Sequence, residues 1–176
     1  MSVWQQISST IAAEFSDIKD VSEITQISVR LLMAALLGGI LGFEREQRGK
    51  AAGIRTHMLV AIGAALFILI PQQAGITDAE MSRVVQGVIA GIGFLGAGAI
   101  IKGSDERHLK GLTTAAGIWL TAAIGVAAGL GREASAILCT FLALGVFIVM
   151  PRVLALMERQ PQSPPSPPNR STHEED

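Results

Sequence analysis

Charges in this chain are gathered into short clusters, and the stretches between them are long, apolar and uncharged. Residues 84–101 hold Gln86 as their only strongly polar side chain. Residues 112–130 carry polar atoms only on Thr113, Thr114, Trp119 and Thr121, and residues 134–149 have no charge. Two shorter stretches, 31–43 and 58–70, extend back to 24 and on to 74 with few interruptions. A helix crosses a bilayer with about 20 mainly apolar residues. Only 16% of the chain is charged, against about 25% in soluble domains. The pattern predicts an all-α polytopic membrane bundle of five transmembrane helices within residues 24–157, preceded by a short amphipathic helix.

Basic residues in short loops mark the cytoplasmic side of a membrane. Arg45, Arg48, Lys50 and Arg55 fall between the first two spans, Lys102, Arg107 and Lys110 between the third and fourth, and Arg152 and Arg159 after the fifth. The alternate loops hold only Arg83 and Arg132. This alternation predicts an N-terminus outside and a cytoplasmic C-terminus. Residues 1–23 lack the basic start and continuous apolar run of a signal peptide. Trp4, Ile7, Ile11, Phe15, Ile18 and Val21 recur at the spacing of one helical face, with Glu14, Asp17, Asp20 and Glu23 on another. The arm is therefore expected to lie on the outer membrane surface, in contact with lipid. Residues 158–176, rich in proline, are expected to be a disordered cytoplasmic tail. A single cysteine, Cys139, supports neither a disulfide framework nor a cysteine metal site. The net charge of −1 gives no argument for nucleic acid.

Four glycines fall within residues 91–98, "GIGFLGAG". A phosphate-cradling loop would follow a strand and precede a Lys–Ser/Thr pair, and neither is present. Small residues four apart let transmembrane helices approach closely. Gly38 and Gly42 have this spacing, as do Gly87 and Gly91, and Gly125 and Gly129. Gly93, Gly96 and Gly98 continue the pattern. The rival reading is an interrupted helix whose freed carbonyls meet an ion or a substrate. A second feature is "FEREQRGKAAGIRTH", in which Glu44 and Arg48, and Glu46 and Lys50, stand four apart in the acid-first order. Thr56 is placed to cap the helix that His57 opens. Glu44, Glu46 and His57 together would suit a cation, although their spacing is no metal signature, and no metal or cofactor is assigned. No charge lies near the middle of a span, which argues against proton coupling through a buried carboxylate. There is no serine–histidine–acid set, catalytic carboxylate pair or cofactor fingerprint, so an enzyme is not expected.

Three segments, "LLGGILGFEREQRGKAAGIRTHMLVAIGAALF", "RVVQGVIAGIGFLGAGAIIK" and "LKGLTTAAGIWLTAAIGVAAGLG", resemble the MgtC/SapB family of bacterial membrane proteins. The resemblance covers roughly residues 27–150 and implies an inner-membrane protein of about five spans. It implies a link to growth at low magnesium, to stress adaptation and, in some members, to virulence. It further implies action through other membrane proteins, notably the membrane sector of the F-type ATP synthase. Apart from the resemblance, a homo-oligomer is a further partner to expect. The matching motif positions are Glu44, Arg45, Arg55, Gly91, Gly93, Gly96, Gly98, Thr114 and Trp119. Two departures bear on the virulence role. The virulence-linked members carry a soluble C-terminal domain where this sequence has a short tail, and an Asn where it has Thr113. The expectation is a regulatory membrane protein; the alternative is a channel or carrier for a small ion such as Mg²⁺ or H⁺.

Overall fold

The structure, a computed structural model, describes residues 2–15, 20–102 and 109–157. Asp17 and Ile18 of the arm, Arg107 and His108 of the third loop, and the proline-rich stretch 158–176 lie outside the described residues. Six helices are seen among the rest: α1 (Val3–Glu14), α2 (Val21–Gln47), α3 (Ile54–Gln73), α4 (Asp78–Gly98), α5 (Leu112–Gly129) and α6 (Glu133–Met157). A two-residue antiparallel ladder, β1 (Ile101–Lys102) with β2 (Leu109–Lys110), joins the two arms of the α4–α5 connection. Helices α2 to α6 are each long and apolar enough to cross a membrane. The chain divides into two compact units, Met1–Leu144 and Gly145–Asp176. In the second, α6 passes through Pro151, and Arg152 Nη1 donates to the Ile148 carbonyl at 2.8 Å.

Local sequence sets the helix starts. Asp20 accepts from the Glu23 N–H at 2.7 Å at the head of α2. Thr77 and Glu80 form a reciprocal capping box on α4, satisfying amides that have no partner within the helix. The first turn of α3 differs from expectation. Its cap is Gly53, which makes no side-chain bond, while Thr56 sits exposed inside the helix. The Glu46 carboxylate reaches forward and accepts from Ile54 N–H at 2.9 Å. An anion at the positive end of a helix does the work expected of Thr56, so Glu46 faces α3 rather than Lys50.

Helix α3 lies between α2 and α5, and the two seams are lined by small residues. A Cβ added to Gly38 would stand 2.6 Å from the His57 carbonyl oxygen, and one on Gly42 would stand 2.6 Å from Ile54 Cα. On the other side, Gly125 meets Ala61 and Gly129 meets Ala65 and Ile68. Ala34, Ala61, Ala65 and Ala128 form one buried cluster; Ala52, Ala64, Ile92, Ile118 and Ala122 form another. Large apolar side chains such as Leu32, Leu36, Phe67 and Phe94 point outward. Lipid gives helices no hydrophobic reason to associate, so close backbone contact holds the bundle together.

Arg30 and Glu44 are 14 residues apart on α2 (44 − 30), about 21 Å along a helix. That is less than the roughly 30 Å hydrocarbon thickness, so the protein itself must meet one of these charges. Arg30 Nη1 donates to the Gly129 carbonyl at 2.9 Å and to Gln72 Oε1 at 2.7 Å. A cation there also suits the negative C-terminal end of α5. Gly131, at φ 72°, lies against the guanidinium, where a side chain would collide.

Candidate functional site

At the opposite pole, the end of α2 and the start of α3 bury an unusual set of polar groups: Glu44, Arg45 and His57, with Thr114 and Thr121 of α5. The Arg45 guanidinium holds one Glu44 oxygen through both Nε and Nη2. Arg48 Nε lies 2.9 Å from the other oxygen, near enough for an ion pair but not aligned as a hydrogen bond. One carboxylate thus stands between two guanidiniums. Buried charge is tolerable only when paired in this way.

His57 has no solvent exposure. Its Nδ1 lies 2.7 Å from Thr121 Oγ1, and the Thr121 hydroxyl donates to the Gly117 carbonyl at 2.9 Å. With that proton committed, the threonine oxygen accepts, and the ring donates from Nδ1. Nε2 makes no hydrogen bond of good geometry, although Arg45 and the Ala52 backbone lie close enough to influence the ring. Glu44, Glu46 and His57 do not converge. Glu44 is held by guanidiniums, Glu46 caps α3, and His57 faces α5. Among the described residues there is no group of three His, Cys, Asp or Glu side chains suited to a metal.

The glycines of α4 lie in different surroundings. The helix is unbroken from Asp78 to Gly98, so the backbone does not adopt the interrupted form. Gly96 approaches Ala115 of α5, with 3.7 Å from an added Cβ to the Ala115 side chain. Around Gly87, Gly91, Gly93 and Gly98 an added Cβ would meet nothing within 4 Å. Gly87 and Gly91 instead line an apolar groove of about 600 Å³ between α3 and α4, with Gly63, Phe67 and Val88 on its walls. Four of the glycines expected to pack thus have no partner within the described chain.

A protein-family model described as the MgtC family matches residues 31–156. The chain belongs to the MgtC family. It is 45% identical to protein SrpB of Synechococcus elongatus over 67% of this chain and 71% of that protein. It is 42% identical to YhiD of Escherichia coli K12, whose name proposes magnesium transport, over 68% of this chain and 59% of YhiD. It is 40% identical to protein MgtC of Brucella abortus over 72% of this chain and 52% of that protein. The matches to YhiD and Brucella MgtC therefore span little more than half the length of each. No solved structure matches the chain.

In this MgtC-family chain the motif positions separate by burial. Glu44, Arg45, Thr114 and Gly96 are buried, whereas Arg55 and Gly91 are exposed, as is Thr113, where the sequence departs from the family. Trp119 is half exposed, beside a smaller apolar cleft between α4 and α5 lined by Val85, Ile89 and Val126. Of the other polar groups at depth, Gln86 is exposed and Thr140 bonds back to Ala136 of its own helix at 2.8 Å. The His57–Thr121 bond and the Arg30 clamp were not among the sequence expectations. An Arg at the edge of an otherwise uncharged span was the available signal for the clamp.

Proposed function

We propose that this membrane protein is regulatory and acts by binding helices of other inner-membrane proteins, in adaptation to magnesium limitation or acid stress. The supporting observation is the open glycine face of α4. Gly87 and Gly91 line a groove wide enough for apolar side chains, and the three-helix seam on the far side of α3 is already filled. Small residues facing outward in a membrane serve a second helix better than they serve lipid. The basic turns at residues 44–57 and 102–111 support the topology proposed for it, N-terminus outside and C-terminus cytoplasmic. The family membership and the relative named MgtC support the physiological setting.

The test is Gly91→Leu, which projects a side chain into the groove from a position whose Cβ would meet nothing within 4 Å. Tagged wild type, crosslinked in native membranes from magnesium-starved cells and solubilised in mild detergent, should retain a membrane-protein partner; the ATP synthase membrane sector is one to assay by name. Gly91→Leu should lose that partner while melting as wild type does. Equal recovery with both proteins removes the groove from the mechanism, and recovery of no partner with wild type removes the reading.

A second reading, conduction of Mg²⁺ or H⁺, is favoured by the name of YhiD and by the buried Glu44 carboxylate. Purified protein in liposomes would then pass the ion, and Glu44→Gln would change the flux. Vesicles no leakier than protein-free ones would remove it.

A further inference from the structure

Helix α1 has no buried residue. Trp4, Ile11 and Phe15 expose more than half of their surface, and Ile7 nearly as much. These four recur at intervals of three and four and so share one face. In water such a face would be costly. Only residues 15–20 separate α1 from α2, and six residues reach at most about 20 Å. Because α2 crosses the bilayer, the apolar face is held near the membrane surface at the pole where α2 begins.

The other face fixes the kind of surface. Glu14 is the only ionisable side chain of α1, and Gln5, Gln6, Ser8 and Ser9 are neutral. Ser8 and Ser9 donate to the carbonyls of Gln5 and Gln6, at 3.1 and 3.0 Å, so their hydroxyls do not need water. Ser2 and Gln5 close a capping box, which satisfies the first amides without a charge. Interfacial helices that read anionic headgroups carry Lys and Arg on the polar face. This one has none on α1, and around it Glu14, Asp17, Asp20 and Glu23 outnumber Lys19.

We propose that α1 docks on the bilayer itself, by apolar insertion alone, and so responds to how loosely the lipids pack rather than to their charge. The insertion positions are Trp4, Ile7, Ile11 and Phe15. The partner is the acyl region of the nearest leaflet, with no requirement for anionic headgroups.

The test uses the whole chain in vesicles. It contains two tryptophans, so Trp119→Phe leaves Trp4 as the only reporter. In phosphatidylcholine vesicles, lipids brominated on the upper acyl chain should quench Trp4 at least twofold, and aqueous acrylamide should quench it poorly. Adding phosphatidylglycerol should not deepen quenching, whereas replacing saturated with unsaturated chains should. Ile7→Ser with Ile11→Ser should restore acrylamide access while the bundle melts unchanged. Free access of acrylamide in every vesicle would place the arm in water and overturn the proposal. Shielding from both quenchers would place it against protein, in this chain or a second copy. Quenching that grows with phosphatidylglycerol would make it an electrostatic anchor. Each of the last two results overturns the proposal as well.

Discussion

One substitution, glycine to alanine, should have opposite consequences in α2 and in α4. At Gly42 the new Cβ would stand 2.6 Å from Ile54 Cα and 3.0 Å from the His57 Cβ, whereas carbon atoms rest about 3.5–4.0 Å apart. Helices α2 and α3 must separate by about 1 Å, and a gap of that size forfeits up to about half of each dispersion contact along the seam. Overpacking of this kind costs about 1–3 kcal/mol; better helix propensity returns at most about 1 kcal/mol. Gly42→Ala should therefore destabilise the bundle by up to about 2 kcal/mol net of the propensity gain. At Gly91 nothing lies within 4 Å, so Gly91→Ala keeps only the propensity term and should be neutral or stabilising by up to about 1 kcal/mol. The difference, about 1–3 kcal/mol, corresponds to roughly fivefold or more in the unfolding equilibrium. The assay is reversible unfolding in mixed micelles, titrating denaturing detergent and following helicity. A Gly42→Ala midpoint at or above wild type, or a Gly91→Ala midpoint below that of Gly42→Ala, would refute the assignment of the seams.

Other perturbations test the buried polar groups. Glu44→Met leaves the Arg45 guanidinium buried without its carboxylate and should cost about 3–5 kcal/mol; the double replacement Glu44→Met with Arg45→Met should cost less than the single one in the same titration. His57→Phe and Thr121→Val should be non-additive, with a coupling of about 0.5–1.5 kcal/mol from the lost hydrogen bond, and strict additivity would show that the bond is not made. Arg30→Met strips the Gly129 carbonyl and Gln72 of their donor and should cost about 1–3 kcal/mol, read as faster amide exchange in the last turn of α5 than in its first.

How much of this was legible depended on how far apart the interacting residues are. The five spans were visible because a bilayer needs an uninterrupted apolar helix, and each of those stretches became one helix. The cap of α3 was not, because capping rules look within three residues, whereas Glu46 acts on Ile54 from eight residues away. Glycine spacing marked surfaces without saying whose helix they meet. Gly38 and Gly42 found α3 within the chain, whereas Gly87 and Gly91 have the same spacing and face a groove. Spacing is a property of one helix, and the partner is set by how two helices align.

That alignment has a simple form between α3 and α5. His57 meets Thr121, Ala61 meets Gly125, and Ala65 meets Gly129. Every pair is 64 residues apart (121 − 57, 125 − 61 and 129 − 65), as expected of two parallel helices in fixed register, each pair one turn beyond the last. A slide of one residue would lift all three pairs out of contact together. The two glycine contacts bring the backbones close enough for a short histidine side chain to reach a threonine hydroxyl. That bond, which cannot be made in any neighbouring register, in turn selects this register from among those that alanine and glycine alone would allow. The polar pair at depth therefore specifies the packing that the small residues make close.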